Sequence, residues 1–217
     1  MKTYSYLALG DSYTIGEQVP LADSFPYQTI QQLRKMGMLE ATGPTTVGVE
    51  YRRHVFAAPE IVAKTGWTTD ELSAAIGQTV FLSNYDIVSL LIGVNNQYRG
   101  RTVAEFEHTF ELLLQLAIQF AAGISANVYV LSIPDWGLTP FAKDREAKSI
   151  STEIDAYNKV CETIASNFKV HFINITDDQR TNVGNVEFLA VDGLHPSAKE
   201  YQKWAGKLSQ LISANIR

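Results

Sequence analysis

Short apolar runs alternate along this chain with longer segments whose apolar residues recur every three or four positions. Tyr4-Ser5-Tyr6-Leu7-Ala8-Leu9 reads as a buried strand that ends at Gly10-Asp11-Ser12. A helix is predicted from Asp23-Ser24, with Phe25, Ile30, Leu33 and Met36 on one face and Gly37 as its stop. Val47 to Ala57, rich in β-branched and aromatic residues, predicts a strand. Thr68-Thr69-Asp70-Glu71 predicts a capped helix running through Leu72, Ala75, Ile76 and Val80. Asp86-Ile87-Val88-Ser89-Leu90-Leu91-Ile92-Gly93 is the clearest strand, apolar on both faces as in a covered parallel sheet. A long helix follows over Thr102 to Ala122, then a strand over Val128 to Ile133 that Pro134 ends. Ser151 to Asn167 is helical, with Ile154, Tyr157, Cys161, Ile164 and Phe168 at spacings of three and four. Val170 to Ile175 is a short strand, and Pro196 to Ala214 a final helix with Tyr201, Trp204, Leu208, Leu211 and Ile212 facing inward.

Strand–helix alternation over nearly the whole length implies right-handed crossovers and a parallel sheet between helix layers, an α/β fold. The longest irregular stretches, about Asn95 to Arg101, Pro134 to Lys148 and Thr176 to Leu194, all follow predicted strands. In open α/β sheets the ligand crevice lies beyond the carboxyl ends of the strands, so these loops are expected to gather at one edge. At 217 residues the chain is expected to form a single domain over residues 1–217. Its 46% hydrophobic and 19% charged content is that of a globular protein, and such a length buries a core without disulfides. The lone cysteine, Cys161, excludes an internal disulfide framework and a multi-cysteine zinc site.

A net charge of −5 argues against a nucleic-acid partner, because no basic excess is present to displace counterions. No run reaches the roughly 20 apolar residues of a membrane helix, so no integral membrane association is expected. The residues after Lys2 read as no signal peptide, which makes the cytoplasm the expected location. The sequence does not fix an oligomeric state.

Four loop segments carry candidate chemistry. Ser12 stands at the end of the first strand, where a strand-to-helix turn exposes a hydroxyl and leaves backbone N–H groups free; alone, it equally reads as a turn cap. Asp192 and His195, three residues apart on a turn eased by Gly193, can supply a base and the acceptor that fixes its tautomer. The alternative there is an Asp capping the last helix beside a surface His, with Pro196 at the first helical position. His108 and His171, in a helix and a strand, are better suited to structural roles, and His54 has a weaker claim than His195. Asn95, after the strongest strand, can donate an amide hydrogen to an oxyanion, or simply end the strand in an Asn-Asn turn. Gly66 can offer its N–H to the same oxygen or be a plain loop glycine. Together the four provide nucleophile, base, orienter and oxyanion donors, the components of acyl transfer.

On these residues the sequence resembles the SGNH hydrolase superfamily, the GDSL-type esterases and lipases. Gly10-Asp11-Ser12 matches the first block, with Tyr13 where Leu is usual. Gly66 matches the second. Gly93-Val94-Asn95 matches the third, with Asn96 in place of Asp. Asp192 and His195 match the Asp-x-x-His block, and the resemblance spans residues 8 to 196. It implies a flavodoxin-like three-layer α/β/α sandwich with about five parallel strands. It also implies a serine esterase in which Ser12 is the nucleophile, His195 the base and Asp192 its orienter, with Ser12 N–H, Gly66 N–H and the Asn95 side chain as oxyanion hole. The implied partner is a small-molecule ester, and neither a cofactor nor a metal is implied. Acyl and alcohol specificity stay open among sugar acetates, short-chain esters, lysophospholipids and thioesters.

Readings from other classes compete with this one. A flavin or nucleotide module would want a Gly-x-Gly-x-x-Gly loop after the first strand, whereas Gly10 to Gly16 lacks it and Glu17 stands where a phosphate loop places Lys. A catalytically silent binding or interaction domain would keep the fold without needing Ser12, Asp192 and His195. Metal-dependent hydrolysis lacks any His-x-x-x-His or His-Glu-x-x-His spacing. Trp67, Tyr98, Trp136, Phe141 and Phe188 are candidates to line an apolar or sugar-stacking surface or to seal the core, and Arg99 and Arg101 to meet an anionic group or remain solvated.

Overall fold

The structure is a computed structural model that describes residues 2–41, 54–182 and 184–216. The first apolar run divides in two. Strand β1 (Thr3–Tyr4) pairs with β3 (Val55–Phe56), and β2 (Tyr6–Gly10) enters the main sheet. That sheet has five parallel strands in the order β4 (Glu60–Ala63), β2, β5 (Ile87–Leu91), β6 (Val128–Leu131) and β7 (His171–Ile173). Every residue of β2, β5 and β6 is buried, which is what continuous apolar runs require of a sheet covered on both faces. Helices α2 (Phe25–Ala41) and α8 (Ala198–Asn215) pack together, as do α3 (Thr69–Ile76), α5 (Val103–Phe120) and α6 (Ala147–Asn167).

From β2 the chain crosses to β4 on one side. It then returns past β2 to β5 and continues outward to β6 and β7. The topology therefore reverses between β2 and β5, the place where open α/β sheets leave a crevice at their carboxyl ends. Two short helices start there: α1 (Ser12–Ile15), after β2, and α4 (Val94–Tyr98), after β5.

Both starts depend on a glycine. A Cβ on Gly10 would lie 2.1 Å from Thr14 Oγ1 and 2.3 Å from the Leu91 carbonyl oxygen, so the turn into α1 closes only without a side chain. Gly93, at φ +130°, would set a Cβ 2.7 Å from both Ile133 and Phe106. Asp11 caps α1 by accepting the Tyr13 N–H at 3.0 Å through Oδ1, while its buried Oδ2 has no partner. Desolvation is the dominant influence on this carboxyl and lifts its pKa from 3.8 to about 7.

Several elements depart from the sequence-based expectation. The edge strand of the sheet is β4, not the segment from Val47 to Ala57; of the latter only Val55–Phe56 is a strand, and residues 47–53 lie outside the described residues. Helix α2 runs through Gly37 to Ala41, because a Cβ at that glycine would face open space and the residue is merely a poor helix former there. Helix α3 stops at Ile76, and Val80 is 94% exposed beyond it. Helix α6 begins at Ala147, four residues before Ser151. Pro196 pairs with Leu189 in an isolated bridge, and Ser197 caps α8 in its stead. The stretches read as irregular contain α4 and, after β7, α7 (Thr176–Thr181).

Asp11→Asn keeps the acceptor for Tyr13 N–H and removes a buried titrating group. A folded-state pKa raised above the unfolded one means the wild type loses stability as pH rises from about 4 to about 7. Urea unfolding of both proteins at stepped pH is expected to show no added advantage for the variant near pH 4 and an advantage that grows to the order of 2 kcal/mol by pH 8. Parallel stability curves would contradict the burial assigned to this carboxyl.

Candidate active site

Ser12 is the first residue of α1, and its side chain opens into a cavity of about 200 Å³ at the reversal between β2 and β5. Gly66, Asn95 and His195 line the same cavity, together with Tyr13, Thr65, Val94, Tyr98, Trp136, Phe141 and Leu194. Four of the five candidate residues named from sequence thus meet in one crevice, and the fifth, Asp192, stands behind it against the imidazole. Ser12 Oγ and the His195 ring share this cavity without a direct hydrogen bond between them. Nucleophile–base contacts commonly shorten only as substrate docks.

His195 is delivered by a loop tied at several points. The Ala190 N–H donates to the His195 carbonyl, the Phe141 N–H to that of Gly193, and Leu189 bridges Pro196. Within the loop, Asp192 Oδ1 accepts the N–H groups of Leu194 and His195, both at 3.0 Å, and Oδ2 lies 2.6 Å from His195 Nδ1. Partial burial pushes the Asp192 carboxyl up. The hydrogen bond from the His195 ring, the two backbone N–H groups and the attraction to the imidazole whenever it is protonated outweigh it and hold the pKa below the ordinary value. An ionised carboxylate only accepts, so Nδ1 carries the proton and Nε2 keeps its lone pair. The Tyr13 ring meets the imidazole edge-on, with centroids 5.6 Å apart, and is backed by Trp204. Where Leu is usual, this chain therefore has an aromatic wedge fixing the plane of His195.

Asn95 is the second residue of α4, and one hydrogen of its amide is donated to the Trp67 carbonyl at 3.0 Å; the amide has a second hydrogen to give. Its neighbour Asn96 is fully buried. It accepts the Thr69 N–H at 3.0 Å and donates to Thr69 Oγ1 at 2.8 Å, which fastens α4 to the start of α3. Gly66 is held by Arg99, whose guanidinium donates to its carbonyl at 2.6 Å, and by its neighbour Thr65, whose hydroxyl bonds Glu17. Arg99 also pairs with Glu71, and Arg101 with Asp70. Both arginines are engaged in fastening these loops.

Of the aromatic candidates, Tyr98, Trp136 and Phe141 line the cavity and lie against one another, with centroids 5.3 to 6.5 Å apart. Trp67 packs partly buried against the core, and Phe188 lies under Lys199 and Lys203. His171 stacks on Tyr129 in β7. The sequence reading missed Gln97, a buried polar residue of α4 bonded to the Trp136 indole; the helix is too short for its periodicity to be read.

Known structures resemble this one over almost their whole length. The lipase/acylhydrolase from Enterococcus faecalis superposes with a TM-score of 0.71 at 20% identity, over 99% of this chain and 97% of that one. A member of the lipolytic G-D-S-L family from Veillonella parvula gives 0.67 at 15% identity, over 98% and 99%. Axe2, an acetylxylan esterase from Geobacillus stearothermophilus, gives 0.66 at 19% identity, over 96% and 94%. At such identities the likeness establishes the fold. No curated protein sequence matches the chain. The model of the GDSL-like lipase/acylhydrolase family matches residues 8–203, and with the five-stranded parallel sheet this places the chain in that family of the SGNH hydrolase superfamily.

Proposed function

We propose that this GDSL-family hydrolase cleaves carboxylic esters through a covalent acyl-enzyme formed on Ser12. One observation carries the reading: Ser12 and His195 line one cavity, while Asp192 holds the far nitrogen of the imidazole at 2.6 Å. His195 Nε2 takes the Ser12 proton as Oγ attacks the ester carbonyl. The carbonyl π electrons move to oxygen, and the resulting oxyanion is met by the N–H groups of Ser12 and Gly66 and by the free amide hydrogen of Asn95. Collapse expels the alcohol, which leaves with the proton from His195. Water, deprotonated by the same nitrogen, then hydrolyses the acyl-enzyme and restores the Ser12 hydroxyl. Ser12 suits the role because it opens α1 with its side chain facing the cavity, while the N–H groups of Tyr13, Thr14 and Ile15 are all taken by Asp11 and hold the turn in place. The mostly apolar walls keep water scarce around that charge, which strengthens each donor.

Ser12→Ala is expected to remove the covalent step and with it turnover of p-nitrophenyl acetate; turnover equal to wild type would refute the nucleophile assignment. Asn95→Ala is expected to lower kcat about 10²- to 10³-fold without abolishing it, as for one oxyanion donor.

Because Asp192 is held ionised below the ordinary carboxylate range, its charge is available to the imidazole at neutral pH, and Asp192→Asn, which loses that charge while keeping the shape, is expected to lower kcat by orders of magnitude at about pH 7 to 8. A kcat equal to wild type would contradict the orienting role of Asp192.

A further inference from the structure

The cavity wall has one side chain that is fixed far more firmly than contact with a substrate requires. Trp136 is almost fully buried, yet its ring lines the cavity, and its indole N–H donates to Gln97 Oε1 at 2.7 Å. Gln97 is itself held, donating through Nε2 to Glu153 Oε2 at 2.7 Å, and Glu153 Oε1 accepts the Ser149 hydroxyl at 3.2 Å. Both ends of the Gln97 amide are therefore used, which leaves its orientation no freedom. The backbone is pinned as well. Asp135, wholly buried, accepts the Gly137 N–H through Oδ1 and pairs through Oδ2 with Arg180 at 2.9 Å. Thr139 donates both its N–H and its hydroxyl to the Trp136 carbonyl. A Cβ on Gly137 would sit 2.8 Å from Ile150, so the segment cannot slide along α6.

The chemistry decides which half of an ester meets this wall. His195 must protonate the leaving oxygen, so the alcohol lies on the side of the His195 loop, with Leu194 and with Phe141, whose N–H binds Gly193. The acyl substituent, directed away from the leaving oxygen, is left the part of the wall that Val94, Tyr98 and Trp136 form, which Phe141 adjoins. A cavity of about 200 Å³ takes about seven water-sized groups at roughly 30 Å³ each. Shared between the ester group and both of its substituents, that space leaves room for only a few carbons on the acyl side.

We propose that Trp136 is the gauge that limits acyl length, and that Gln97 is the positioning residue that holds the gauge in place; this rests on the ester-hydrolase reading above. The preferred substrates are esters of short, apolar carboxylic acids. An acyl chain longer than the cavity must displace an indole anchored by a buried hydrogen-bond chain, and it loses transition-state stabilisation in doing so. Glu153 acts one step further out, through the Gln97 amide.

The test is kcat/KM for p-nitrophenyl esters from acetyl to dodecanoyl, read as the ratio of decanoyl to acetyl so that general losses cancel. For wild type the ratio is expected to lie below one. Trp136→Ala should raise it by about tenfold or more, since a few methylenes regain their place in an apolar pocket. Gln97→Leu, which frees the indole without removing it, should move the ratio the same way by a smaller factor, and Glu153→Gln, still able to accept from Gln97, should leave it near wild type. If Trp136→Ala does not fold, Trp136→Phe and Gln97→Leu carry the test with the same sign. Ratios unchanged in folded Trp136 and Gln97 variants overturn the gauge. Ser12→Ala run alongside separates the two levels. Unchanged ratios with turnover that depends on Ser12 overturn the gauge alone, whereas turnover that survives Ser12→Ala overturns the reading beneath it and the gauge as well.

Discussion

The parallel pairing of β2 with β4 on one side and β5 on the other governs where chemistry can occur in this molecule. Gly10, the last residue of β2, stands beside both Ala63 and Leu91, the last residues of its two neighbours. Three strands therefore end at one level, and the chain segments that leave them, carrying Ser12, Gly66 and Asn95, have only the space above the sheet edge to enter. The register is held by packing on two buried faces: slipping β2 by one residue would exchange the side chains that each face presents to its helix layer. Gly10 adds a steric condition, since the Leu91 carbonyl and Thr14 occupy the position a Cβ would need. Three of the five candidate residues thus leave three adjacent strands at the same edge. The loop of Asp192 and His195 completes the site, fastened by backbone hydrogen bonds to the segment that also holds Phe141.

Buried carboxylates hold the loops around this edge. Asp135 organises the turn after β6, and Glu200 receives the Trp204 indole N–H and the Asn182 amide at the start of α8. Each is buried with hydrogen-bond partners, which offset the cost of desolvating a charge. Asp11 is the exception, with one oxygen unsatisfied and its pKa drawn toward neutrality. It lies directly before Ser12, and the cap it provides orients the first turn of α1. The sheet edge thus carries a local loss of stability directly before Ser12, where Thr14 Oγ1 is also buried without a partner, while the carboxylates of Asp135 and Glu200 are bonded.

What could be read from sequence follows from how strongly local pattern is coupled to burial. β5 was legible because all its residues face a core, and α5 because Thr102 and Glu105 form a reciprocal cap ahead of an amphipathic run. Ser12, Asp192 and His195 were legible as motif members; Ser12 and His195 line one crevice, with Asp192 behind it on the imidazole. β4 was not: four residues at the sheet edge, only one of them buried, with Pro59 just before them, carry less β signal than the branched run nearby. α4 was hidden because five residues are too few for a period, and Asn95-Asn96 read as a turn. The aromatic candidates divided on a matter that spacing cannot express. Trp136 and Trp67 both follow strands, yet only the first is turned into the cavity, by a glutamine thirty-nine positions away.

The two departures from the family pattern can be understood through the direction of hydrogen bonds. Asn96 donates to Thr69 Oγ1, so the hydroxyl hydrogen of Thr69 remains free to pass to Thr109 Oγ1 at 2.7 Å, and Thr109 in turn donates to the carbonyls of Glu105 and Phe106. An aspartate at position 96 would only accept. Thr69 would then have to turn its hydrogen inward, and Thr109 would have to give up a carbonyl to satisfy Thr69. The asparagine therefore fits a chain of donors running outward from α4 through α3 to α5, and fastens α4 without a buried charge. Tyr13 is a parallel case in packing, since its ring fills the space between Trp204 and His195 with a rigid plane. Both substitutions change how the candidate residues are supported and leave Ser12, Asn95 and His195 in place around the cavity.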